Sequence, residues 1–181
     1  MISVVGLGGI GCKIADKFSE WSNYKVWKID SSELPKGVRN KTIKNFKEPE
    51  LFEMNFPALG SFFKNINKEV IVVLSGASLI TGGTLRVLEE LVSKKGCKVD
   101  IVYVKPDIEI LSIKKRLQEN LTRNVLQQYT RSGLLNKMFL YDNILIEKTI
   151  KNLTLNDYFD RINYTVAYYT HMLNVFDNTD P

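Results

Sequence analysis

Three stretches of this chain combine residue types that could do chemistry. Gly6-Leu7-Gly8-Gly9-Ile10-Gly11, followed by Cys12, places glycines directly after an apolar run and just before an amphipathic one. Glycine lets the chain turn tightly and lets a phosphate approach the backbone amides, while a helix beginning there adds partial positive charge. Ser75-Gly76-Ala77-Ser78-Leu79-Ile80-Thr81-Gly82-Gly83 repeats that arrangement after another apolar run. Further on, Phe159 and Asn163 stand four residues apart, so on a helix they share one face. An aromatic ring stacks on a base, and an amide offers both donor and acceptor to a base edge. Guanine presents N–H and NH₂ groups beside a carbonyl, which suits an Asn. The plainer reading keeps Phe159 as core and Asn163 as a solvated helix residue.

The first loop has a second meaning. Gly6, Gly8 and Gly11 fit the dinucleotide fingerprint G-x-G-x-x-G, and Asp30 lies about 20 residues on, where a ribose-binding acid belongs. Those residues alone favour a Rossmann-type NAD- or adenylate-binding domain. Other chemistries are poorly supplied. Cys12 and Cys97 show no CxxC spacing and share the chain with a single histidine, His171, so no zinc site is expected. No Ser/His/Asp or Cys/His arrangement surrounds His171, and Cys12 reads as a small packing residue, not a nucleophile.

The elements that must position these residues follow from the hydrophobic pattern. Residues 2–6, 24–29, 69–74, 99–104 and 138–141 read as strands, and 69–74 is too apolar to alternate, which favours a sheet covered on both faces. Residues 11–22, 84–95, 109–131 and 155–176 read as helices, with 51–63 helical in part. Gly96 ends the helix at 84–95, and Thr154 with Asp157 has the spacing of a capping-box variant. The polar segment 31–50, with Pro35, Gly37 and Pro49, reads as loop. Strands alternating with helices predict an α/β fold with a mainly parallel, Rossmann-like sheet flanked by helices and ending in a long helix. In such sheets ligands bind at the carboxyl ends of the strands, where every unusual motif here falls.

Composition bounds the class. The chain has 181 residues, 25 Lys+Arg against 20 Asp+Glu, and is 44% hydrophobic, enough for one domain with a real core. With 11 Gly and 2 Cys, collagen-like and disulfide-scaffold classes are excluded. The basic residues are scattered, which argues for a solvated surface and against a nucleic-acid footprint. The apolar start is broken by glycines and has no basic residue before it, unlike a signal peptide. No run reaches the ~20 apolar residues of a membrane span. A cytoplasmic, reduced protein is the expectation.

Taken in order, the motifs resemble the tubulin/FtsZ GTPase family. The glycine loop after the first strand is similar to that family's first loop. The stretch Gly76-Ala77-Ser78-Leu79-Ile80-Thr81-Gly82 aligns with its G-G-G-T-G-[ST]-G signature, keeping Gly76, Thr81 and Gly82. Leu79 stands where the family has a hydroxyl, and Ile80 where it has a glycine free to take positive φ. Val104-Lys105-Pro106 resembles the V-x-K-P turn. Asp107, Glu109 and Arg116 follow near the family's sugar-binding polar groups. Tyr141-Asp142-Asn143 resembles its base-binding turn, and Phe159 with Asn163 the central helix that reads guanine. The segment 31–50 is shorter than the family's and lacks its γ-phosphate loop.

The resemblance implies GTP or GDP as ligand, with Mg²⁺ as an allowed companion. It implies a nucleotide site made from Gly8, Gly9, Ile10, Gly11, Cys12, Asp30, Gly76, Ala77, Ser78, Thr81, Gly82, Pro106, Glu109, Arg116, Asn143, Phe159 and Asn163. Residues 1–181 would form a single nucleotide-binding domain, ending where the family's C-terminal domain would begin. Asn178 and Asp180 match the start of the family's acidic loop, which completes the next subunit's site, so Asp180 is the candidate catalytic residue. The alternative there is a frayed polar terminus. The last helix is apolar nearly all round, which implies a partner or a self-contact.

Three functions stay open. The first is a guanine-nucleotide-binding protein acting through self-assembly into filaments, with weak or assembly-dependent GTP hydrolysis. The second is a Rossmann-type NAD- or ATP-binding domain. The third is a non-hydrolysing structural or interaction protein on the same fold.

Overall fold

Six strands among the described residues pair into one sheet, all parallel: β1 (Ile2–Leu7), β2 (Tyr24–Asp30), β3 (Asn40–Thr42), β4 (Glu69–Ser75), β5 (Lys98–Lys105) and β6 (Lys137–Asp142). Their spatial order is 3-2-1-4-5-6. Six helices connect and cover them: α1 (Gly8–Lys17), α2 (Pro49–Asn55), α3 (Thr84–Val92), α4 (Ile113–Arg131), α5 (Asn143–Thr149) and α6 (Tyr158–Asp177). The architecture comes from a computed structural model, which describes residues 1–178.

The sheet is buried on both faces, as the unbroken apolar run of β4 requires. Side chains alternate along each strand and feed two cores. One gathers Val72, Leu74, Ile101 and Tyr103 under α2, α3 and α4, through Phe52, Val87, Leu91 and Leu126. The other gathers Val4, Ile71, Val73 and Val102 under α1, α5 and α6, through Ile14, Phe18, Ile146, Ile162 and Val166. The expected α/β fold with a parallel sheet and a long last helix is therefore the observed one.

Several boundaries differ from the pattern reading. Segment 31–50 is not all loop: Asn40–Thr42 adds β3 to the edge of β2, and Pro49 opens α2 at its first turn. Helix α1 begins at Gly8, not at residue 11, and a 3₁₀ turn over Phe18–Glu20 continues it. The expected 109–131 helix is split, because Ser112 caps α4 by accepting from the Lys115 N–H, after a 3₁₀ turn at Ile108–Ile110. Helix α5 lies between β6 and α6, where no helix was expected. Thr154 donates to the Asp157 carboxylate from both its amide (2.9 Å) and its hydroxyl (2.7 Å). The carboxylate half of the capping box thus forms one turn ahead of the regular helix at Tyr158.

Helix α6 buries a single stripe, Ile162, Asn163, Val166, Ala167, Thr170 and Asn174, against its neighbours. Tyr164, Tyr168, Leu173 and Phe176 remain exposed. No helix of the described residues is long and apolar enough to cross a membrane.

Candidate functional site

All strands being parallel, every strand-to-helix connection of interest leaves from one edge of the sheet. Strand order reverses between β1 and β4. Helix α1 leaves β1 toward one face while α3 leaves β4 toward the other, which opens a crevice at the topological switch point. The two glycine loops meet there. A Cβ on Gly8 would lie 2.8 Å from Ile80 Cγ2 and 3.2 Å from Ser78 Oγ, and Gly8 itself has φ +77°, which only glycine adopts freely.

Helix α1 begins at the crevice without a side-chain cap and without an acid in its first turn. Its first amides are therefore unsatisfied donors carrying the positive end of the helix dipole. A Cβ on Gly9 would meet only Asp30 Oδ2, at 3.8 Å, so the space above Gly9 is open. Ile10 is exposed beside it, while Gly11 and Cys12 are buried against the sheet. Asp30 ends β2, is itself buried, and accepts from the Ser31 amide at 2.7 Å.

Cys12 lies beneath the loop, its thiol 3.5 Å from the carbonyl oxygens of both Gly6 and Ile29. Burial, with the Asp30 carboxylate adding to it, pushes its pKa up to about 12. A raised thiol pKa means the protonated, unreactive form at neutral pH. At pH 8 only ~1 thiol in 10⁴ would be thiolate, so iodoacetamide should alkylate half-buried Cys97 well before Cys12 in the folded protein. Peptide mass mapping across a labelling time course checks this; Cys12 reacting first would contradict the buried placement.

The second loop is built differently from the first. It folds as a 3₁₀ turn over Leu79–Gly83, so Ile80 needs no positive φ; Asn152 is the one non-glycine residue with positive φ among the described residues. The side chain of Ile80 is buried against Gly8. Thr81 is also buried, and its hydroxyl donates to the carbonyls of Ser78 (2.5 Å) and Gly76 (3.3 Å). Gln118 of α4 holds the loop from behind, donating to Ser78 O at 2.8 Å and Thr81 Oγ1 at 3.1 Å. Ala77 and Ser78 are half-buried at the crevice side. Gly76 backs onto the Tyr103 hydroxyl and Gly82 onto the Pro49 carbonyl, with no room for a Cβ at either.

Farther along the edge, Lys105 pairs with Asp142 across the ends of β5 and β6 at 2.9 Å. Burial alone would raise the Asp142 carboxyl, but the Lys105 ammonium and the Ile144 and Leu145 amides hold it below its ordinary value. Pro106 is half-buried and Glu109 exposed. Arg116 donates to the carbonyls of Glu109 (2.9 Å) and Leu111 (3.0 Å), which fixes the loop after β5.

Asn143, the first residue of α5, has its Oδ1 buried with no hydrogen-bond partner. Leaving such an acceptor unmade costs ~1–3 kcal/mol, so the atom is poised for a donor from outside the chain. Helix α6 packs against both α1 and α5. On it Asn163 is 7% exposed, and its amide makes no hydrogen bond among the described residues. Phe159, one turn earlier, is 71% exposed with one edge against Tyr158. Shared helical spacing thus places a largely buried Asn one turn from an open ring. The unpaired state of Asn143 carries no sequence signal beyond its place after β6.

Asp180 lies outside the described residues. Among the described residues no group of three or more His, Cys, Asp or Glu could hold a metal ion.

No protein-family model matches the sequence, and no curated protein is significantly similar to it. Solved structures do share the fold. CetZ from Methanosaeta thermophila has a TM-score of 0.75 at 14% identity, over 99% of this chain and 55% of that one. FtsZ from M. jannaschii has a TM-score of 0.73 at 16% identity, over 95% of this chain and 53% of that one. TubZ of Bacillus thuringiensis serovar israelensis, solved as a GTPγS-form protofilament, has a TM-score of 0.74 at 15% identity, covering 95% and 56%. The fold is that of the nucleotide-binding domain of FtsZ and tubulin. The chain spans little more than half the length of these proteins.

Proposed function

We propose that the chain binds a guanine nucleotide at the switch-point crevice and acts through self-association, with GTP hydrolysis weak or tied to assembly. The observation that carries this reading is the buried Asn143 Oδ1 without a hydrogen-bond partner, supported by Asn163 and the exposed ring of Phe159 one turn apart on α6. Guanine offers the donors that Asn143 Oδ1 lacks, and an Asn at 163 can pair with its edge while Phe159 stacks. The phosphates then lie over Gly8, Gly9, Ile10, Gly11 and Cys12, at the uncapped end of α1. Three strand spacings separate β1 from β6, roughly 14 Å, a span a nucleotide can bridge.

Self-association draws on two supports. CetZ2 from Haloferax volcanii, with the same fold, was solved as a GTPγS-bound protofilament. The exposed Tyr164, Tyr168, Leu173 and Phe176 give α6 an apolar face for a partner. Light scattering that rises with protein concentration in the presence of guanine nucleotide is the expected sign.

Calorimetric titration tests the ligand: GTP and GDP should bind and ATP should not. Asn163→Ala should weaken guanine binding by ~1–3 kcal/mol, the cost of a lost buried hydrogen bond. Equal affinity for ATP and GTP would remove the basis for this reading. A second reading, an adenine dinucleotide, is favoured by Asp30 at the end of β2 beside Gly9, where a ribose-binding acid belongs. Mass spectrometry of the nucleotide that co-purifies separates the two.

A further inference from the structure

We propose that His171 and Tyr24 form a pH-sensitive latch, which pins the carboxyl-terminal half of α6 to β2 while the imidazole is neutral and loosens it when the imidazole takes a proton. The latch stands apart from the guanine-nucleotide reading, and it acts on the helix that carries Asn163 and the exposed apolar face. His171 is the one histidine of the chain. Its Nδ1 lies 3.0 Å from the Tyr24 hydroxyl oxygen, and the Trp21 indole stacks on the imidazole at 4.3 Å between centroids.

Tyr24 is in no position to turn away. It is buried at the start of β2, with Phe18 and Trp21 packed edge-on against its ring. Burial raises its pKa, and amide donors from Asn174 and Asn23 draw it only part of the way back. The phenol is therefore protonated at neutral pH, and its oxygen already accepts, from Asn174 Nδ2 at 3.4 Å. Its single hydrogen is left for His171 Nδ1. An imidazole that accepts at Nδ1 is neutral and carries its own hydrogen on Nε2. A proton on Nδ1 sets an N–H against the O–H, and the hydrogen bond between α6 and β2 is lost.

No charge nearby offsets that loss. The groups that face the ring are Tyr24 from β2 and Trp21 from the turn after α1, both neutral. Glu20 and Lys25, the charged sequence neighbours of those two, are exposed, and the α6 acids Asp160 and Asp177 are paired with Lys17 and Lys137. None of them contributes to the lowered pKa of His171, which burial alone accounts for. The indole face favours a cation, but such a contact at a half-buried ring is weaker than a hydrogen bond turned into two opposed donors. With the native pKa below the ordinary 6.5, the opened helix binds the proton first. The latch contributes fully above pH 6.5, and its contribution is lost as pH falls through the lower native value. Tyr141 with Thr170, at 2.9 Å, and Lys137 with Asp177 still tie that half of the helix, so α6 loosens without leaving the sheet.

Proton NMR reads the switch directly, because one histidine gives one imidazole titration. In the wild type the midpoint should lie below 6.5, and the neutral ring should be the Nε2–H tautomer by its ¹⁵N shifts. Tyr24→Phe keeps the ring in the core and deletes the hydrogen that Nδ1 accepts, so the midpoint should move up. Amide exchange over residues 168–177, corrected for intrinsic rates, should quicken between about pH 7.5 and 5.5, by at most about tenfold per pH unit, the limit for one proton. His171→Phe, which keeps an aromatic ring against Trp21, should flatten that dependence. A wild-type midpoint at or above 6.5, or an Nδ1–H tautomer, overturns the latch with no variant needed. So does a midpoint that stays in place in a Tyr24→Phe variant shown by circular dichroism to be folded, or a pH dependence of exchange that persists in His171→Phe.

Discussion

Gly9→Val should abolish nucleotide binding and leave the fold intact. Gly9 lies in the first turn of α1 with an ordinary negative φ, and a Cβ there meets nothing nearer than Asp30 Oδ2. Valine is at least as good a helix residue as glycine, so no loss of stability is expected from the backbone. Its two methyl groups project into the space above the free amides. A phosphate seated there would lose two or more charge-assisted hydrogen bonds, each worth ~1.5–3 kcal/mol, for a fall in affinity of roughly 100-fold or more. Titration with GDP and thermal unfolding by circular dichroism, run on one preparation, give both readouts. Unchanged affinity together with an unchanged melting temperature would mean that the loop is only a turn.

How far the sequence revealed this arrangement depends on what each residue answers to. Val70 to Leu74 was legible because burial on both faces leaves no polar position, and Ile101 to Val104 because it is an unbroken apolar run after Asp100. Their order with the helices between them was enough to predict a parallel sheet and a shared carboxyl edge. β3 was not legible: Asn40, Lys41 and Thr42 are polar and join the sheet through backbone pairing to β2. Pro49 did signal the start of α2, but its setting in a polar stretch hid the signal. In the second loop, residue type indicates a possible donor but not its direction, and Thr81 turns inward because Gln118 and two carbonyls satisfy it there. The i, i+4 spacing put Phe159 and Asn163 on one face correctly. That one is open and the other covered depends on how α6 packs on α1, a tertiary fact.

Gly11→Ala should do the reverse of Gly9→Val and damage the fold first. Gly11 is one turn into α1, buried, and its missing Cβ is what lets the helix rest on the central strand. An added methyl group would overlap the Val73 carbonyl oxygen. That carbonyl cannot retreat, because Val72, Val73 and Leu74 are fully buried and β4 is paired on both sides, to β1 and β5. Nor can the helix slide along β1, since a Cβ on Gly6 would lie 2.6 Å from Gly11 O, so the backbones are in contact there too. The helix must lift, and Ile14, Ala15 and Phe18 lift out of the core with it. Overpacking of this kind costs ~1–3 kcal/mol and more where backbone is the obstacle. In a chain of this size that is a fall in melting temperature of roughly 2–12 °C, or failure to fold. Binding should fall as well, since the amides of α1 would no longer sit at the level of the crevice. Thermal unfolding of Gly11→Ala beside Gly9→Val separates the two roles. A wild-type melting temperature for Gly11→Ala would show that α1 is not seated on β4 as described.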